Sequence, residues 1–63
     1  MRILVVEDDV RLADVVRRAL AEAGYAVDVA HSAPAALEAF AVETYDLILL
    51  DLMLPGIPGG GME

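Results

Sequence analysis

Two runs of four apolar residues, each stopped by acid, constrain this chain more than any other feature. Ile3-Leu4-Val5-Val6 runs into Glu7-Asp8-Asp9, and Leu47-Ile48-Leu49-Leu50 runs into Asp51. A run that is apolar at every position has no side to offer water. It reads as a strand covered on both faces, the pattern of a parallel sheet. A carboxylate in so apolar a context is costly to bury without a partner, so Asp51 belongs where a strand ends and the side chain reaches a cleft.

Between the two runs the period changes. Leu12, Val15, Val16, Ala19, Leu20 and Ala23 recur at spacings of three and four, with Arg11, Asp14, Arg17, Arg18 and Glu22 on the other side. This predicts a helix over Val10–Ala23, capped by Asp9 and stopped by Gly24. Tyr25–Ala30 reads as a short strand, and Asp28 in its middle makes it an edge strand. Ser32 is placed as an N-cap and Pro34 is tolerated in a first turn, which predicts a second helix over Ala33–Glu43. Leu37, Phe40 and the first helix's stripe are expected in the core. Asp28 and Asp46 are expected in solvent, His31 in a surface loop, and Arg17-Arg18 on a helix surface.

The order is therefore strand, helix, strand, helix, strand: an α/β chain with parallel strands joined by crossover helices. The first and third strands read as buried and the second as an edge, giving spatial order 2-1-3. Right-handed crossovers then put the two helices on opposite faces. Open parallel sheets bind ligands beyond the carboxyl ends of their strands, where the strand order reverses. That point lies between the first strand, followed by Glu7 and Asp8, and the third, followed by Asp51.

The outer edge of the third strand has no neighbour in this reading. Residues 57–63, with Pro58 and Gly59-Gly60-Gly61, form a tail that reads as neither strand nor helix. A chain of 63 residues without cysteine has no disulfide staple, and one this short buries only about 60% of the surface it exposes when unfolded. A homodimer is expected, with two third strands paired antiparallel across a two-fold axis to make a larger sheet.

Eleven acidic residues against four arginines give a formal charge of −7. That argues against this segment binding nucleic acid through phosphates, which needs a basic face, and suits a cation or a basic partner surface. No apolar run approaches a membrane span or a signal peptide's apolar core, so a cytoplasmic location is expected. Carboxylates gathered at one point repel each other, by roughly 3 kcal/mol for a pair ~5 Å apart at an effective dielectric of about 20. A divalent cation offsets this, and Mg²⁺ takes one or two carboxylates while keeping waters.

Ile3–Asp9, together with Tyr45-Asp46-Leu47-Ile48-Leu49-Leu50-Asp51-Leu52-Met53-Leu54-Pro55-Gly56, resembles the receiver domain of two-component response regulators, of the kind that precedes a winged-helix DNA-binding domain. The resemblance covers residues 1–56 and implies the first half of a flavodoxin-like (CheY-like) fold. It implies that Asp51 accepts a phosphoryl group from a sensor histidine kinase, as an acceptor rather than an enzyme. It also implies that Asp8 ligates Mg²⁺ directly, that Glu7 acts through water or by charge, and that Met53 offers a backbone carbonyl. Pro55 and Gly56 would shape the adjoining turn. Receivers also carry a fourth and a fifth strand, with a switch Ser or Thr and a phosphate-pairing lysine. This chain contains no lysine, and the alternative reading is a self-associating receiver fragment without phosphotransfer.

Overall fold

A computed structural model of the chain describes residues 1–50. Strand β1 (Arg2–Val6) is followed by helix α1 (Val10–Glu22), strand β2 (Ala26–Ala30), helix α2 (Ala33–Val42) and strand β3 (Leu47–Leu50). The sheet is parallel in order β2-β1-β3. The element order, the strand order and the central place of β1 are those the apolar runs predict, and the helix ends fall within a residue of the expected positions.

The central strand owes its burial to that place. Ile3, Leu4, Val5 and Val6 are all buried, Leu4 completely, because neighbours flank both edges and helices cover both faces. Strand side chains alternate between faces. Leu4 and Val6 cluster with Ala30, and against them pack Ala35, Ala36 and Ala39 of α2, with Tyr45 and Ile48. Val5 is level with Val29, and these residues of opposite parity line grooves beside Leu12, Val16 and Ala13 of α1.

Local chemistry sets the helix ends. Asp9 Oδ1 accepts from the backbone N–H of Arg11 at 3.0 Å and of Leu12 at 3.1 Å, satisfying donors that a helix start leaves open. At the other end of α1, Gly24 N–H donates to Ala21 at 3.0 Å and Tyr25 N–H to Leu20 at 3.2 Å. This paired closure needs a left-handed residue, and Gly24 supplies it with φ of +100°. Ser32 Oγ caps α2 by accepting from Ala35 N–H at 3.2 Å.

The helix cores differ from the expectation. Leu12, Val15, Leu37 and Phe40 are exposed, Leu37 by 69%, while Ala13, one step around α1, is completely buried. A sheet of three strands offers each helix a single line of contact over β1 and β2, and small alanines reach it most closely. Neither helix packs on β3; Leu12 shares a groove with Leu49 and Leu50, and Leu37 and Phe40 share a cavity with Leu50. Phe40 finds one partner, the ring of Tyr45, edge-on at 5.9 Å between centroids.

Asp28 and Asp46 also depart from the expectation of simple solvation. Asp28 Oδ2 receives Arg2 Nη1 at 3.2 Å and the Tyr45 hydroxyl at 2.7 Å. Arg2 Nε meets Glu43 at 3.0 Å. Asp46 clasps the start of β1: its Oδ2 accepts from Arg2 N–H and its own N–H donates to Arg2 O, both at 2.8 Å. Arg17 and Arg18 lie on the α1 surface as expected, both paired with Asp14 at 2.9 Å.

Candidate functional site at the carboxyl ends of the strands

The register brings the ends of β1 and β3 level, with Val6 opposite Leu50. The acids after β1 therefore stand beside the end of β3. Glu7 prolongs the pairing with β2 by one bond, its N–H donating to Ala30 O at 2.9 Å. That extension carries its side chain into the protein, where it is only 7% exposed. Its Oε1 accepts from Asp9 N–H at 3.0 Å, so the carboxylate is oriented by the backbone just before α1.

The three consecutive acids are thus divided by role. Asp9 is committed to the helix cap. Glu7 is buried and oriented. Asp8 is exposed, and its carboxylate makes no hydrogen bond or ion pair with the other described residues. It borders a cavity of about 320 Å³ between the end of the sheet and α2, with Val6, His31, Phe40 and Leu50 among its walls.

Sequence reasoning missed the part His31 plays here. The residue is exposed in the turn after β2, as expected, yet its Nδ1 lies 3.0 Å from Glu7 O. A carbonyl oxygen only accepts, so Nδ1 carries the proton in this contact. The imidazole ties the β2–α2 turn to the acidic end of β1. Nothing local in the sequence signals a bond across 24 residues.

An oxygen ligand set of one open and one oriented carboxylate fits Mg²⁺, which uses few protein carboxylates and retains water. The described residues alone bring no three His, Cys, Asp or Glu side chains together as a metal cage. Asp51 and Met53, the other expected site residues, lie outside the described residues, as does the expected boundary at residues 56 and 57. The described cations are engaged elsewhere in part: Arg2 with Asp28 and Glu43, Arg17 and Arg18 with Asp14.

Comparison with known proteins bears on this geometry. Residues 3–62 match the model of the response regulator receiver domain. The transcriptional regulatory protein DltR of Streptococcus agalactiae is 47% identical over 55 residues, covering 87% of this chain and 25% of that protein. The regulatory protein VanRB of Enterococcus faecalis is 48% identical over 59 residues, covering 94% of this chain and 27% of its own length. The transcriptional regulatory protein CutR of Streptomyces coelicolor matches with the same identity and coverage. The non-phosphorylated HemR receiver domain from Leptospira biflexa superposes with a TM-score of 0.76 at 36% identity, over 92% of this chain and 47% of that one. The chain thus spans about a quarter of these curated relatives and about half of the solved receiver.

Proposed function

Since the chain belongs to the response regulator receiver domain family, we propose that it is the acceptor segment of a phosphorelay, with Asp51 taking the phosphoryl group from a sensor histidine kinase. The observation that carries the reading is the level pairing of Val6 with Leu50. Glu7 and Asp8 follow the first of these in sequence and Asp51 follows the second.

The chemistry is nucleophilic displacement. A carboxylate oxygen of Asp51 attacks phosphorus, the P–N bond of the donor phosphohistidine breaks, and its electron pair returns to the imidazole. Asp8 and Glu7 would hold Mg²⁺, with the Met53 carbonyl and Asp51 completing the protein ligands. The ion supplies neutralisation of the phosphoryl oxygens during transfer. The part of Glu7 is to keep a negative charge fixed near the ion, since the Asp9 amide holds its carboxylate in place. The part of Asp8 is to offer an oxygen from the open side. The chain acts as a stoichiometric acceptor, not as a turnover catalyst.

Two features shape what the acceptor can do. These 63 residues contain no lysine, so within them charge compensation of the phosphoryl group would fall to Mg²⁺ held at the acids. The acidic balance gives the chain no part in holding nucleic acid. Among the described residues no helix is long and apolar enough to cross a membrane, and the reading places the chain in the cytoplasm with its kinase.

The test is phosphorylation by a small acyl phosphate with Mg²⁺, read by intact mass. One added phosphoryl group, absent in Asp51→Asn and absent without Mg²⁺, is the expected result. An unchanged mass with Mg²⁺ and excess donor, in a chain shown to be folded by circular dichroism, would refute the reading.

A further inference from the structure

We propose that His31 is a positioning residue for the cation site: by holding the Glu7 carbonyl it fixes the peptide plane from which Asp8 departs, and so aims the Asp8 carboxylate. The inference rests on the reading of Asp8 as a ligand of Mg²⁺.

The Asp8 carboxylate has no partner among the other described residues, so the backbone alone can aim it. A side chain leaves the main chain in a direction set by the two peptide planes that flank its Cα. Each of those planes is pinned here by one bond. The plane between Glu7 and Asp8 is pinned at Glu7 O, which receives His31 Nδ1 at 3.0 Å. The plane between Asp8 and Asp9 is pinned at Asp9 N–H, which donates to Glu7 Oε1 at 3.0 Å. The second bond is local and lies within the acidic run. The first reaches across 24 residues and ties that run to the end of β2. Glu7 N–H also donates to Ala30 O at 2.9 Å. Successive residues of one corner therefore grip Glu7, Ala30 at its N–H and His31 at its carbonyl.

The His31 bond is not needed to shape the turn that carries it. β2 is secured up to Ala30 by its pairing with β1 and by the bond from Glu7. α2 is started by Ser32, whose hydroxyl accepts from Ala35 N–H at 3.2 Å and whose carbonyl accepts from Ala36 N–H at 3.0 Å. His31 stands between these two finished ends, and its N–H is directed to the acidic end of β1 rather than to its own turn. The ring also borders the cavity that Asp8 borders. Bonds that orient a ligand residue add to metal affinity, because a carboxylate already aimed has less freedom to lose when the ion arrives. Without the His31 bond the Glu7–Asp8 plane can turn, and the aim of Asp8 is lost.

Calorimetric titration of Mg²⁺ into the 63-residue chain at one fixed pH, beside heteronuclear NMR of the Asp8 amide, tests this. The Asp8 nitrogen shares a conjugated peptide group with Glu7 O, so its resonance reports whether that oxygen is bonded, with or without metal. His31→Ala should weaken Mg²⁺ binding about tenfold, the lower end of the range for groups that orient metal ligands, and should shift the Asp8 nitrogen signal. His31→Asn should restore both, because the Asn amide nitrogen donates and, like Nδ1, is attached to Cγ. Ser32→Ala is the control for a loosened turn: it removes the α2 cap, lowers stability and leaves Mg²⁺ affinity as in the parent. Parent-like Mg²⁺ affinity in His31→Ala overturns the proposal and leaves the reading of Asp8 intact. So does a His31→Asn chain as weak as His31→Ala, and so does an equal loss in Ser32→Ala. A His31→Ala chain that is unfolded by circular dichroism overturns it too, since the bond is then structural. A parent chain that takes up no Mg²⁺ refutes the reading of Asp8 itself, and the proposal with it.

Discussion

Tyr45 donates its hydroxyl hydrogen bond to Asp28 Oδ2 at 2.7 Å, fastening the approach to β3 to the middle of β2. The same carboxylate oxygen receives Arg2 from β1, so β1, β2 and the segment leading into β3 meet at one acid. The bond to Asp28 is the largest cause that raises the Tyr45 hydroxyl from its usual value to about 12, with desolvation and the Asp28 charge adding to it.

A tyrosine whose pKa is higher folded than unfolded stabilises the fold at pH values below about 10, its unfolded value. That contribution drains away as pH rises from there through about 12. Chemical denaturation at stepped pH should show stability falling across this window, and Tyr45→Phe should remove that part of the fall. Absorbance titration offers a second check, since the late phenolate component should vanish in the same variant.

Asp14 gives the opposite slope. The hydrogen bond from Arg17 is the main influence holding its carboxyl below the usual range. The charges of Arg18 and Arg17 help, and desolvation opposes them. Its contribution is present above the unfolded value near pH 4 and is lost as pH falls through the lower folded value. Asp14→Asn should therefore flatten the acid side of the stability profile, by an amount that shrinks in high salt because the pair is on the surface.

Leu4 is completely buried at the centre of the central strand. Leu4→Ala should cost about 2–5 kcal/mol, a large fraction of the stability of any small domain. Urea denaturation followed by circular dichroism should show the midpoint collapse, whereas Leu37→Ala, at a site 69% exposed, should move it little.

The acids after β1 can be separated by substitution. Asp9→Ala removes the cap of α1 and should cost about 0.5–2 kcal/mol, with Asp9→Ser restoring most of it. Asp8→Asn should leave stability nearly unchanged and weaken Mg²⁺ binding, measured by calorimetry, more than Asp9→Ser does. A larger Mg²⁺ defect in Asp9→Ser would reverse the roles assigned to the two acids.

The range of the forces involved decided which parts of this arrangement were legible in the sequence. The strand Ile3–Val6 and its place at the centre were legible because burial on both faces leaves no polar residue in the run. Caps at Asp9 and Ser32 were legible because their bonds span two or three residues. The bonds of Asp28 to Arg2, of Asp46 to Arg2 and of His31 to Glu7 span 24 to 44 residues, and local pattern is silent on them. The helix stripes misled for another reason. Leu12, Val15, Leu37 and Phe40 carry the spacing of a core, but among the described residues the three strands leave them exposed. Asp51 and Met53 were legible as motif positions only, since they lie outside the described residues.

The clasp between Asp46 and Arg2 lies at the end of the sheet remote from the acids, yet it governs them. Both backbone groups of Arg2 are held by one residue, which fixes the zero mark from which β3 is measured. Four residues then advance about 13 Å and bring the chain to the height of Val6. A slip of one position would invert every side chain of the strand and bring the chain out one residue too early or too late. Asp46 thus works as the end stop of a ruler, and the exit height of β3 depends on a contact that no ligand at the other end would ever touch.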